Sequence, residues 1–209
     1  MIIQINQFQL LNGSSDIMKE LKEKILKEGK VCPSNIVKVD SFLNHQLDIA
    51  FLRKIGEEFY NRFKNNKVDK VLTIESSGIA IACFVAEYFN CRVVFAKKGK
   101  SLNQSKDFYE AKVFSYTKSE EYDIRVSKEF MSENDNVLIV DDFLANGAAL
   151  NGLVKIVDDA NANLVGCGVV IEKGFQPGGK ELRDKGIHLE SLAIIERADE
   201  TKQTIEFRN

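Results

Sequence analysis

The sequence predicts an α/β protein: a mostly parallel sheet with helices on both sides. Three stretches carry that expectation. Residues 137–140, Val-Leu-Ile-Val, read as a strand buried on both faces, and the helix after them has its apolar positions at Leu150, Leu153, Val154 and Val157. Residues 71–74 repeat the pattern of apolar strand, polar turn and helix, and residues 163–171 form a third apolar run. Short buried strands alternating with helices are what parallel pairing requires, because a parallel connection must cross back over the sheet.

In chain order, residues 1–16 alternate weakly (Ile3, Ile5, then Phe8, Leu10, Leu11) and end in Asn-Gly-Ser-Ser-Asp. They read as an extension of unknown role, either an added strand or tail or a stretch ahead of a start at Met18. The remainder, 17–209, is expected to be a single domain. A helix follows, capped by Ser15 or Asp16, with Ile17, Leu21 and Ile25 on one face and Gly29 as its stop. Residues 31–40 read as irregular or extended. Asp48 caps a second helix, whose stripe Leu52, Ile55, Gly56, Phe59 and Phe63 is core. After strand 71–74, Glu75-Ser76-Ser77-Gly78 places hydroxyls and N–H groups at a helix start, a place for an anion. Strand 92–96 leads to Lys97, Lys98 and Lys100, which on spacing alone read as a solvated cluster. Residues 101–110 lack a period and precede two strand-like runs, 112–117 and 122–127. Beside an anion crevice they read as a lid ordered by substrate. Strand 163–171, with Gly166 and Gly168 allowing close packing, delivers Glu172 and Lys173 to the crevice. Lys173, a cation ending an apolar run, should have a partner there. Phe175 either stacks on a ligand or is core, and runs 189–195 and 204–207 supply closing strands.

The junction after residue 140 carries the chemistry. Asn146, Gly147, Ala148 and Ala149 leave the backbone unobstructed, so free N–H groups at a helix start can close on a phosphate. Asp141 and Asp142 accept hydrogen bonds only, which suits the hydroxyls of a ribose rather than the phosphate. Phosphate plus diol describes a ribose 5-phosphate. Other acidic pairs, at 57–58, 120–121 and 158–159, have no apolar run leading into them and read as solvated faces. An acidic strand also suits a nucleotide triphosphatase, and Gly-Phe-Gln-Pro-Gly-Gly-Lys at 174–180 has phosphate-loop spacing. There, Glu181 stands where a magnesium-binding hydroxyl is needed, and the segment comes after the acidic strand.

Composition narrows the classes. With 29 basic and 31 acidic residues in 209 there is no basic stripe for nucleic acid, and no apolar run nears the length of a membrane span. The first residues lack the basic and apolar regions of a secretory signal, so a cytosolic protein is expected. Four cysteines without a Cys-x-x-Cys pair, and two histidines, favour reduced, mostly buried thiols over a zinc site.

Asp-Asp-Phe-Leu-Ala-Asn-Gly at 141–147, with the blocks at 38–46, 73–80 and 170–173, resembles the type I phosphoribosyltransferases of purine salvage over about residues 18–195. The resemblance implies transfer of ribose 5-phosphate from 5-phosphoribosyl 1-pyrophosphate to a purine. It implies a small hood from both chain ends, about 30–47 and 173–209, and a homodimer binding small-molecule substrates. Residues 145–149 would take the 5-phosphate, and Ser76, Ser77 and Gly78 the pyrophosphate. Asp141 and Asp142 would meet the ribose, and Lys98 and Lys100 the leaving group. Val37, Asn44, Lys173 and Phe175 would meet the base. Mg2+ would be held mainly by substrate. Hypoxanthine and guanine enzymes of the family carry Asp-Thr-Gly in the loop where this chain has Ala145-Asn146-Gly147. An acidic base needs less help in losing a proton and would be repelled by a carboxylate, so Ala145 and Lys173 together favour xanthine. The rivals are a guanine or hypoxanthine enzyme and a non-catalytic sensor of 5-phosphoribosyl 1-pyrophosphate. The sensor reading lacks a DNA-binding domain, because residues 1–16 are too short and too little basic.

Overall fold

In the computed structural model, which describes residues 7–99, 107–115 and 120–208, the first helix, α1, spans Gln7–Glu28. Ile17, Leu21 and Ile25 are buried along one face, and Gly29 ends it by donating its N–H to the Ile25 carbonyl at 2.8 Å. The expected start at Ser15 or Asp16 is corrected, since the backbone is already helical from Gln7. Gly13 inside a helix costs only about 1 kcal/mol relative to alanine, too little to break a long helix. Strands β1 (Lys30–Cys32) and β2 (Ile36–Lys38) pair antiparallel with Val31 opposite Val37, in the stretch read as extended. A π turn over Asp40–Asn44 leads to α2 (Ile49–Phe63), where Asp48 accepts from the Phe51 N–H at 3.1 Å as predicted.

The chain continues through β3 (Lys70–Ile74), α3 (Ser77–Phe89), β4 (Arg92–Lys98) and a hairpin of β5 (Phe108–Ser115) and β6 (Glu120–Ser127). It then forms β7 (Asn136–Leu144), α4 (Ala148–Asp159), β8 (Asn163–Lys173), α5 (Gly178–Asp184), β9 (Leu189–Asp199) and β10 (Thr204–Phe207). The sheet order is β10-β9-β8-β7-β3-β4-β6-β5, with β4, β3, β7, β8 and β9 parallel. The predicted α/β class and parallel core hold. The apolar run of β7 shows why: Leu138 and Val140 enter a cluster with α1, α2 and α3, while Val137 and Ile139 enter a second cluster with α4 and the hairpin. A strand covered on both faces has no solvent side, so its residues need not alternate in polarity.

Three boundaries differ from expectation. β7 extends through Leu144, so Asp141 and Asp142 lie within the strand rather than beyond it. Residues 108–110, read as part of the lid, belong to β5 and pair with β6, whereas the rest of that lid through residue 106 lies outside the described residues. The runs at the chain's end extend the central sheet as β9 and β10. The turn between β9 and β10 nevertheless meets β1: the Gln203 amide donates to the Val31 carbonyl at 2.8 Å and accepts from the Val31 N–H at 3.2 Å. Among the cysteines only Cys167 is buried, and Cys83 is exposed, against the expectation of mostly buried thiols. No helix among the described residues is long and apolar enough to cross a membrane.

Candidate active site

Pairing between β3 and β7 stops at Leu72 opposite Ile139, while β3 stays paired with β4 as far as Ile74 opposite Ala96. The two strands part because their helices leave on opposite faces, α3 into one core cluster and α4 into the other. A crevice at such a switch of direction, at the carboxyl ends of parallel strands, is where open α/β sheets bind ligands.

One wall is the loop after β7. Gly147 caps α4 at φ +82°, and its carbonyl accepts from the Asn151 N–H at 2.9 Å, so the helix begins immediately after it. The loop rests on α5: the Gly178 N–H donates to the Ala145 carbonyl at 3.1 Å, and a β-carbon at Gly178 would lie 2.4 Å from that oxygen and 2.5 Å from the Gly147 nitrogen. The Gly-rich segment at 174–180 thus supports the loop by backbone contact. It runs into a helix of only seven residues, Gly178–Asp184, after a strand that is not the acidic one.

The acidic pair divides its labour. Asp141 is 5% exposed, and its Oδ1 accepts from the Asp142 N–H at 2.9 Å. Burial, then the charge of Asp142, pushes the Asp141 carboxyl well above the usual carboxylate range. Asp142 is half-buried, and its Oδ1 accepts from the Phe143 N–H at 2.8 Å. Cys167, behind Asp141, is pushed up to about 12 by burial and that carboxylate. Across the gap, α3 begins at Ser77 with Ser76 exposed before it, and the Glu75–Ser76 peptide is cis. Gly78 lets this turn close in, for a β-carbon there would lie 2.9 Å from Asp141 Oδ1 and closer still to Thr73 Oγ1. Thr73 is fully buried, and its hydroxyl has no hydrogen-bond partner among the described residues. Sequence reasoning missed Thr73, whose only signal was a polar residue inside an apolar strand.

Lys98 ends β4, its N–H donating to Glu75 Oε1 at 2.6 Å and its ammonium 5.6 Å from the Tyr122 ring centre. Lys100 lies outside the described residues. On the far side of β7, Lys173 ends β8, with Nζ 5.9 Å from the centre of the Phe143 ring. Burial holds its ammonium below the usual lysine range. Among the described residues it forms no ion pair, and the ring face of Phe143 lies beside it. Phe143, also missed, was visible only as the aromatic residue after Asp-Asp.

The expectation that Glu172 faces the crevice is corrected. Alternation along the strand turns it away from Lys173, and it is 2% exposed in a bidentate pair with Arg183 of α5, at 2.8 and 2.7 Å, with the Ser191 hydroxyl donating at 2.5 Å. Burial pushes its carboxyl up, but the hydrogen bonds from Arg183 and Ser191 outweigh that and hold it below the usual range. Phe175 stands 39% exposed in the turn after β8. Val37 is buried in the apolar cluster against which Phe143 packs, and Asn44 lies in the π turn with Oδ1 buried and unpartnered among the described residues.

Ala145 to Ala149, Asp141, Asp142, Ser76 to Gly78, Lys98 and Lys173 are therefore brought to the same ends of four neighbouring strands. Comparison with known proteins shows the family. The family model of the phosphoribosyl transferase domain matches residues 38–198. A xanthine phosphoribosyltransferase of Clostridioides difficile (strain 630) is 57% identical over 91% of this chain and 100% of its own. One from Alkaliphilus metalliredigens (strain QYMF) is 58% identical over 92% of this chain and 94% of its own. Among solved structures, an adenine phosphoribosyltransferase from Rhodothermus marinus superposes with a TM-score of 0.71 at 21% identity, covering 87% of this chain and 99% of that one, a likeness of fold.

Proposed function

Because the chain belongs to the phosphoribosyl transferase family, we propose that it transfers the 5-phosphoribosyl group of 5-phosphoribosyl 1-pyrophosphate to xanthine, giving xanthosine 5′-monophosphate and pyrophosphate in purine salvage. The observation that carries the choice of base is Lys173, a half-buried ammonium with no carboxylate partner among the described residues, beside an aromatic ring at the edge of the phosphate loop. A cation so placed lacks a hydrogen-bond acceptor, and a carbonyl oxygen of an acidic oxopurine supplies one. Ala145 puts no carboxylate in the loop to repel such a base.

The displacement at the ribose passes through an oxocarbenium-like centre, so the chain's residues mainly position two reactants and stabilise departing negative charge. Backbone N–H groups at residues 146–149 hold the 5-phosphate, and Asp142 and Asp141 orient the ribose hydroxyls. Ser76, Ser77 and Gly78 receive the pyrophosphate, with the Lys98 ammonium beside it and Lys100 assigned the same role. Val37, Asn44 and Phe175 are assigned to the purine. Magnesium, held chiefly by substrate oxygens, neutralises pyrophosphate charge when bound. The half-exposed carboxylate of Asp142 is an oxygen donor of the kind a hard dication accepts. The same reading makes the protein a cytosolic homodimer whose partners are small molecules.

Nucleotide formation from 5-phosphoribosyl 1-pyrophosphate with xanthine, guanine, hypoxanthine and adenine tests this, alongside Lys173→Ala. Preference for xanthine, with its kcat/KM falling about tenfold or more in the variant, is the expected result, since a lost charge-assisted hydrogen bond is worth roughly 1.5–3 kcal/mol. Preference for guanine or hypoxanthine would overturn the assignment of the base. Tight binding of 5-phosphoribosyl 1-pyrophosphate without turnover of any base would mark a sensor.

A further inference from the structure

We propose that Asn151 and Lys185 are positioning residues for the phosphate loop, acting in series: Lys185 fixes the Asn151 amide, and Asn151 fixes the Gly147 peptide. The inference rests on the reading that this loop binds the 5-phosphate. The Gly147 carbonyl accepts two donors, the Asn151 backbone N–H at 2.9 Å and the Asn151 Nδ2 at 2.9 Å. A helix start supplies only the first of these. The second arises because the Lys185 ammonium, a donor without acceptor capacity, contacts Asn151 Oδ1 at 2.6 Å and leaves the NH2 end to face Gly147.

The consequence follows from the planar trans peptide, in which the carbonyl and the next N–H point in opposite directions. Drawing the Gly147 carbonyl into α4 turns the Ala148 N–H out of the helix start. The Gly178 N–H does the same two peptides earlier: by holding the Ala145 carbonyl at 3.1 Å it turns the Asn146 N–H away from α5. Two amides of the cradle are thus aimed by contacts behind them. One contact comes from the first residue of α5 and the other from Asn151 of α4, itself held by the residue after α5, and the bidentate pair of Arg183 with Glu172 clamps α5 to β8, the strand that carries Lys173. Neither Asn151 nor Lys185 is one of the loop residues 145–149, so their effect on the phosphate is through the loop.

The test is a cycle of Asn151→Leu, Lys185→Met and the double variant in the full chain, with Lys185→Arg as the conservative control. Steady-state kinetics give KM for 5-phosphoribosyl 1-pyrophosphate and for the base, and calorimetry gives the Kd of ribose 5-phosphate without requiring turnover. A hydrogen bond lost behind the loop should raise that KM and that Kd about fivefold, with kcat and the base KM within about twofold. The double variant should be no worse than Asn151→Leu, because Lys185 acts only through Asn151, and Lys185→Arg should restore most of the affinity. Unchanged Kd and KM in both single variants would overturn the proposal. So would additive losses in the double variant, which would mean that Lys185 attracts the phosphate directly. If the wild type binds ribose 5-phosphate but turns over no base, the functional reading fails, while the Kd values still decide this one.

Discussion

Asp141 combines two demands that conflict in energy. In the proposed reaction its carboxyl serves the ribose, yet it is buried and lies beside Asp142, and both conditions disfavour the ionised form. Below its ordinary value of 3.8 the carboxyl is protonated whether the chain is folded or not, and no penalty arises. As pH rises past that value the unfolded chain loses its proton first, so stability falls until the raised folded-state value is passed. Asp141→Asn keeps the acceptor for the Asp142 N–H and removes the charge. Thermal unfolding at pH 7 should show a Tm higher by roughly 3 °C, with the gain gone near pH 3.8 and below, while turnover falls. A lower Tm at pH 7 would show that the carboxylate is better compensated than this. Lys173 bears a similar tension, a half-buried ammonium facing a ring in place of an anion.

At the scale of the element, α5 matters more than its seven residues suggest. It seats its first residue against the loop at 145–149, and its Arg183 neutralises Glu172 of β8. Gly178→Ala isolates the first role. The added methyl would meet the Ala145 oxygen and the Gly147 nitrogen, so the loop must shift by some tenths of an ångström or more, and small misplacements at a positioning site are costly. Initial rates should show kcat/KM for 5-phosphoribosyl 1-pyrophosphate lower by roughly ten- to a hundredfold, with far-UV circular dichroism unchanged. Wild-type kinetics would mean that the contact is soft. The segment was legible in the sequence as a Gly-rich turn with phosphate-loop spacing, but not its use, because backbone contact between residues over thirty positions apart leaves no local pattern.

For the whole molecule, the two apolar clusters share β7, whose alternate residues belong to each, so neither face can lose its cover without uncovering the other. Such a sheet should unfold as one unit. The proposed homodimer predicts sedimentation at twice 23.6 kDa and a Tm that rises with protein concentration, because dissociation accompanies unfolding. Sedimentation at the single-chain mass across micromolar concentrations would remove the dimer.

The sequence by itself determined the alternation of strands and helices, the parallel core and the character of the central junction. These are local properties, set by apolar runs without alternation, by small residues at a helix start and by acidic side chains beside them. Tertiary structure alone decided that β3 and β7 part beyond Leu72 and Ile139, that Glu172 turns to Arg183 while Lys173 faces Phe143, and that the Gly-rich turn at 174–180 lies under the loop. Register and the meeting of distant backbones depend on how helices fill both faces of the sheet at once. No single stretch of residues encodes that.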